Sequence, residues 1–266
     1  MPDETKTAPR RANDSMGKVL LVAVSLSVVC SIIVSTVAVA LRPLQEANKT
    51  LERKRNILLA AGLYREDEDI DLLFEQVEKR LVDLATGEYV EGVDATAYDQ
   101  YRAAKDPDTG VAIPRDKDVA RIRRRAKDAP VYLVRDGTGL RSVILPVHGY
   151  GLYSTLYGFI ALSRDGNTVQ AMRVYEHGET PGLGGEVDNP DWLDKWQDKL
   201  VYDTDGQVRL AVVKGVVDSD SPEARYQVDG LAGATMTSRG VTNLVRYWLG
   251  EEGFAPFLAR IRAERS

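Results

Sequence analysis

The chain has 266 residues, a formal net charge of −5 and a pI of about 5.3, with 44% apolar and 28% charged residues. That balance suits a globular domain with an accessory segment and carries no nucleic-acid footprint. A single cysteine (Cys30) excludes an intrachain disulfide, a cysteine-rich zinc site and an iron–sulfur cluster, and two histidines (His148, His177) leave little for a histidine metal site.

Residues 1–18 read as a polar tail. Residues 19–41, VLLVAVSLSVVCSIIVSTVAVAL, form 23 positions without a charge. At about 1.5 Å per residue, a helix of that length crosses a hydrocarbon core of roughly 30 Å. A cleaved signal peptide is the rival reading, because Arg10, Arg11 and Lys18 precede the run and Ala38-Val39-Ala40 resembles a cleavage site. The run exceeds the about 7–15 apolar residues of a signal core, which favours an uncleaved transmembrane helix. Charge does not orient it: Lys6, Arg10, Arg11 and Lys18 lie before it, and Arg42, Lys49, Arg53, Lys54 and Arg55 after it. The span holds no carboxylate.

Residues 42–129 read as a helical and linker region that packs on the domain after it. Apolar positions 44, 47, 51, 58 and 61 predict a helix continuing from the membrane, stopped by Gly62. Ile70, Leu73, Phe74, Val77, Leu81 and Leu84 make an apolar stripe that predicts a second helix over 67–84. Residues 89–125 are polar and end in the basic run RIRRR, read as a solvated face or a docking contact.

Residues 130–266 change to period two. VYLVR and LRSVILPV flank Asp136-Gly137, and STLYGFIALS and TVQAMRVYEH flank Asp165-Gly166, so both pairs read as hairpins. Asn189 and Pro190 predict a capped short helix. Further strands are expected at 208–217 and 224–230, and closing helices at about 238–250 and 253–265. Antiparallel hairpins with helices before and after define an α+β fold.

Common catalytic motifs are absent: there is no GxGxxG after a strand, no GxxxxGK[ST], no HExxH and no GxSxG. Three glycine-rich stretches remain. HGYGLYSTLYGF (148–159) reads either as a bulged strand with aromatic packing or as backbone and rings brought against a flat ligand. YEHGETPGLGGEV (175–187) reads as a surface loop, as a seat in which Leu183 meets a ring face and Thr180 its polar edge, or as a His177–Glu179 acid/base pair. The last reading lacks a nucleophile nearby in sequence. In VDGLAGATMTSRGV (228–241), small residues run into a helix start that either carries Thr237 or Ser238 as an ordinary N-cap or receives a phosphate.

GATMT closely resembles the attachment motif of the covalent FMN-binding domain family, and HGETPGLGGE and GYGLYSTLYGF resemble the family's other two cofactor segments, in the same order. The resemblance implies FMN joined by a phosphodiester to Thr237. It implies contacts from Gly233, Ala234, Thr235, Leu152, Tyr153, Ser154, Glu179, Thr180, Gly182, Leu183 and Gly184. It implies no catalytic residue and no metal ligand. Two positions depart from the family pattern: Ala232 replaces a frequent hydroxyl residue, and Tyr153 replaces a frequent Trp.

With the N-terminal helix, the resemblance implies an electron-carrying flavoprotein subunit of a membrane NADH:quinone oxidoreductase that couples electron transfer to Na+ export. The chain would then be one part of a translocase, with the other subunits of the complex as partners. A flavin transferase would attach the FMN from FAD with Mg2+. The chain would span the bacterial inner membrane once, with its soluble domain on the periplasmic side. Two alternatives stay open: the related flavin subunit of the ferredoxin:NAD+ oxidoreductase complex, and a membrane-anchored adapter without flavin.

Overall fold

The computed structural model describes residues 16–137 and 139–263. The polar tail lies outside the described residues up to position 15. The chain divides into two compact units, 1–50 and 51–266. Helix α1, Met16–Ala61, begins in the first unit and ends in the second.

In the first unit the apolar stretch of α1 is exposed, and the helix is long and apolar enough to cross a membrane. Apolar side chains from Val19 to Leu41 face outward around the helix, as in a lipid-facing span. The predicted continuation past residue 44 is observed, and Gly62 follows it at φ +66°.

The second unit is built on a five-stranded antiparallel sheet. Its strands are β1 (Val77–Asp83), β4 (Asp128–Asp136), β5 (Gly139–Tyr150), β6 (Thr155–Ser163) and β7 (Val169–Glu176), adjacent in that order. Both predicted hairpins are present as β4–β5 and β6–β7. Period-two alternation sorts their side chains onto two faces. On one face, Ile144, Phe159 and Ala161 pack with Ile57, Leu58 and Ala61 from the end of α1. On the other, Val143, Leu145, Val147, Leu156 and Ile160 pack under helices α5 (Thr235–Trp248) and α6 (Ala255–Ala263). Each such side chain, fully buried, contributes about 1.5–3 kcal/mol.

The remaining elements are short. Helix α2 is Ile70–Phe74, α3 is Gln100–Lys105, and α4 is Pro190–Leu193. Strands β2 (Gly110–Ala112) and β3 (Arg124–Ala126) pair with each other, and so do β8 (Ala211–Val212) and β9 (Gln227–Val228).

The helix expected over 67–84 is corrected: α2 ends at Phe74, and residues 77–83 form β1. Positions 77, 81 and 82 fit either period, and pairing with the free edge of β4, from Val77–Val134 to Asp83–Asp128, decides for the strand. The strands expected at 208–217 and 224–230 shrink to β8 and β9, which pair in parallel. The cap at Asn189 is present, its Oδ1 accepting from the Asp191 N–H at 2.9 Å. The segment after it splits into α4 and a 3-10 turn, Asp194–Trp196.

His148, on β5, ties the sheet to α5. Its backbone carbonyl accepts from Trp248 Nε1 at 2.6 Å, and its ring stacks on Tyr157. Burial disfavours the charged imidazolium and lowers the pKa to about 4. Between that value and its unfolded value of about 6.5, the unfolded chain binds the extra proton. Stability is therefore complete above about pH 6.5 and falls by about 3 kcal/mol as pH drops toward 4. Urea unfolding of wild type and of a His148→Asn variant should show this slope in wild type and its loss in the variant.

Candidate cofactor site

Three segments meet where β5 gives way to β6. Residues 151–154 bridge the two strands, with the Gly151 N–H donating to the Ser154 carbonyl at 2.8 Å. Residues 177–183 leave β7 and enter a 3-10 turn, Gly184–Asp188. Residues 229–234 lead into α5.

Glu179 joins the first two segments. Its carboxylate accepts from the backbone N–H groups of Leu152 (3.1 Å), Tyr153 (3.0 Å) and Ser154 (3.1 Å), and from the Ser154 hydroxyl at 3.3 Å. Ser154 Oγ in turn accepts from the Gly178 N–H at 2.7 Å. The third segment enters through Thr237, whose hydroxyl donates to Glu179 Oε2 at 2.7 Å. Glu179 is 5% exposed and Thr237 is fully buried. Burial pushes the Glu179 pKa up, but the hydrogen bonds from Thr237, Tyr153, Ser154 and Leu152 overcome it and hold the group below the ordinary glutamate value.

Glycines make this closeness possible. A Cβ at Gly184 would lie 2.6 Å from Thr237 Oγ1 and 2.9 Å from Glu179 Oε2. A Cβ at Gly151 would lie 2.7 Å from Glu179 Oε1. Gly240, inside α5, allows the helix to rest on the Tyr150 carbonyl, which a Cβ would approach to 2.7 Å. Gly182 and Gly233 take positive φ, +74° and +69°, and Leu183 packs over Gly233.

Around this buried pair the surface is apolar. Leu152, Tyr153, Leu183 and Met236 are exposed at 39%, 66%, 47% and 47%. Four large apolar groups facing solvent beside a polar, glycine-lined floor suit the face of a flat ring and the phosphate attached to it.

Of the residues expected at the site, Leu152, Tyr153, Ser154, Glu179, Gly184 and Thr237 form one hydrogen-bonded or packed group. Gly233 and Leu183 pack on each other beside it. Ala234 is buried at the helix entry, and Thr235, the first residue of α5, is exposed. Thr180 is exposed and contributes its carbonyl to the loop, accepting from Gly185 N–H at 2.8 Å.

Two readings are corrected. Neither Thr237 nor Ser238 is an N-cap: α5 starts at Thr235, and Ser238 Oγ accepts from the Leu231 N–H at 3.0 Å instead. His177 and Glu179 are not an acid/base pair. The His177 Nε2 faces Asp188 at 3.1 Å, while Nδ1 accepts the Glu179 N–H. The partner of Glu179 is a hydroxyl 58 residues away in sequence, which local reading misses. Gly240 was also missed. A glycine inside a helix costs about 1 kcal/mol against alanine, and that cost is the sequence signal of a close backbone approach.

A sheet with helices on both faces, whose loops gather around a buried hydroxyl, a carboxylate and an exposed apolar rim, defines a domain shaped to hold a flat ligand that bears a phosphate. The FMN-binding domain family profile matches residues 151–250, which contain all three segments. The chain is 50% identical to the NqrC subunit of the Na(+)-translocating NADH-quinone reductase of Vibrio alginolyticus, over 94% of this chain and 96% of that one. It is 47% identical to the equivalent protein from Pseudomonas aeruginosa, over 94% and 97%. Its fold matches the crystal structure of Shewanella oneidensis NqrC with a TM-score of 0.75 and 38% identity, covering 82% of this chain and 99% of that one. The crystal structure of the equivalent Parabacteroides distasonis protein matches with a TM-score of 0.64 and 27% identity, covering 82% and 96%. The chain belongs to the NqrC family of the Na(+)-translocating NADH-quinone reductases.

Gly184→Ala should push the Thr237 and Glu179 side chains apart and destabilise the protein by about 1–3 kcal/mol. Chemical denaturation measures the loss. A crystal structure of the variant should show the Thr237–Glu179 hydrogen bond lengthened or broken.

Proposed function

We propose that this chain carries FMN as a phosphodiester on the Thr237 hydroxyl and relays electrons through it within the Na+-translocating NADH:quinone oxidoreductase. As a family member it is the FMN-carrying subunit of that translocase. The observation that carries the attachment site is that three separate glycine-rich segments meet at the buried Thr237–Glu179 pair and not at the neighbouring hydroxyls of Thr235 and Ser238. Thr235 is exposed outside the group, and Ser238 is occupied with Leu231.

The residues present fit FMN. The first turn of α5 presents N–H groups without intrahelical partners, which favour a phosphate by about 0.3–1 kcal/mol. Leu152, Tyr153 and Leu183 offer apolar surface for the isoalloxazine, while Gly233, Ala234, Thr235, Gly182 and Thr180 line the approach. Bound FMN supplies the electron-transfer chemistry; the chain supplies attachment, orientation and shielding. Thr237 has no exposed surface, so the Leu183–Gly184 segment must move off it before a phosphate can reach Oγ1. A covalent link keeps the flavin on a surface that the apolar rim alone would hold weakly.

In this reading α1 crosses the bacterial inner membrane once, and the soluble unit lies on the periplasmic side beside the other subunits of the complex. A flavin transferase, using FAD and Mg2+, loads the site during maturation.

Co-expression with a flavin transferase, followed by in-gel fluorescence and intact-mass analysis, tests the assignment. Wild type should gain one FMN-sized mass and fluoresce. Thr237→Ala should lose all covalent flavin, and a variant that keeps it would overturn the assignment.

A further inference from the structure

We propose that Glu179 is the proton acceptor that turns Thr237 into the nucleophile when the flavin phosphate is attached, so that the acceptor protein carries its own catalytic base. This rests on the reading of Thr237 as the attachment site.

A threonine hydroxyl is a weak nucleophile and needs a base within hydrogen-bond reach. Thr237 has one at 2.7 Å, and among the described residues Glu179 is the only side chain hydrogen-bonded to its hydroxyl. An ionised carboxylate can only accept, so the Thr237 O–H points its proton at Glu179 and leaves the oxygen lone pairs directed elsewhere. The carboxylate is held in that charged form by three consecutive backbone N–H groups and the Ser154 hydroxyl. Its position is reserved on both sides, since a Cβ at Gly151 or Gly184 would occupy its space. The other ionisable group in the loop, His177, is turned toward Asp188.

The step balances without redox change. The Thr237 Oγ1–H bond breaks, and the proton goes to Glu179 Oε2. Oγ1 forms a bond to the flavin-side phosphorus of a flavin nucleotide phosphoanhydride such as FAD. The phosphorus–oxygen bond to the nucleoside monophosphate breaks, and that group leaves with the bonding electrons. A carboxylate of low pKa serves this purpose because, in a loose phosphoryl transition state, the proton moves late, as with the catalytic-loop aspartate of protein kinases. The Leu183–Gly184 cover moves away for the donor to approach, with Gly182 in open space at φ +74° as the hinge. Glu179 stays behind, anchored on residues 152–154.

The competing role is a purely structural staple between the two loops. The test is single-turnover attachment on the purified full chain with flavin transferase, Mg2+ and FAD, read by covalent mass gain, with thermal melting as the check on folding. E179Q should keep the KM for the acceptor chain and lose about 100-fold or more in kcat, the lower range for general base catalysis. E179D, which keeps a carboxylate, should retain more activity than E179Q. E179A should be partly restored by added formate or acetate, with the rate rising with the basicity of the added carboxylate. Attachment to E179Q within about threefold of wild type would overturn the proposal. So would a slow, folded E179A that no carboxylate rescues, because a staple is not replaced by a free base. Failure of wild type itself to gain flavin on Thr237 would instead overturn the attachment site.

Discussion

A carboxylate cannot be buried without donors, and Glu179 is buried. Desolvating an unpaired charge costs several kcal/mol, so the donors are structural requirements. Here they come from two other parts of the chain: the backbone of residues 152–154 and the hydroxyl of Thr237. The loop after β7, the turn between β5 and β6, and the first turn of α5 are therefore held to one another by a single group. Removing the carboxylate would leave three N–H groups and the hydroxyls of Ser154 and Thr237 without their acceptor. The same contact that orders the loops sets the orientation of the hydroxyl proposed to receive the cofactor.

The sheet supplies the frame for that contact. β5 and β6 are long and paired along most of their length, so their connecting turn is fixed at one end of the sheet. α5 is held against β5 by Trp248, whose indole donates to the His148 carbonyl, and by Gly240, which lets helix and strand ends touch. Thr237 is thus positioned by contacts lower on its own helix. Of the exposed apolar rim, Leu152, Tyr153 and Leu183 sit on the loops, and Met236 sits on the first turn of α5. That separation lets the loop residues of the rim and the cover adjust to a cofactor while the carboxylate and its N–H donors stay fixed.

The sequence carried the hairpins plainly, because alternating β-branched residues and Asp-Gly turns agree on one answer. It misread residues 77–83, whose apolar positions fit a helix and a strand equally and whose state is decided by a partner strand about 50 residues away. The motif singles out Thr237, and Leu183 stands out by its isolation among glycines. The role of Glu179 was not legible, because its partner lies on a distant helix and the His177 beside it offers a false one. Nothing in local spacing distinguishes those partners. The glycines at 151, 184 and 240 were visible as residues, but their purpose, space for a carboxylate, a hydroxyl and a carbonyl, exists only in three dimensions.

The most direct measurement of the central claim is fragmentation mass spectrometry of the peptide spanning residues 228–241, taken from full-length protein matured with a flavin transferase. The expected result is a single FMN-sized addition on Thr237, with Thr235 and Ser238 unmodified. Flavin on either neighbour, or a bound flavin that is released without breaking a covalent bond, would contradict the account.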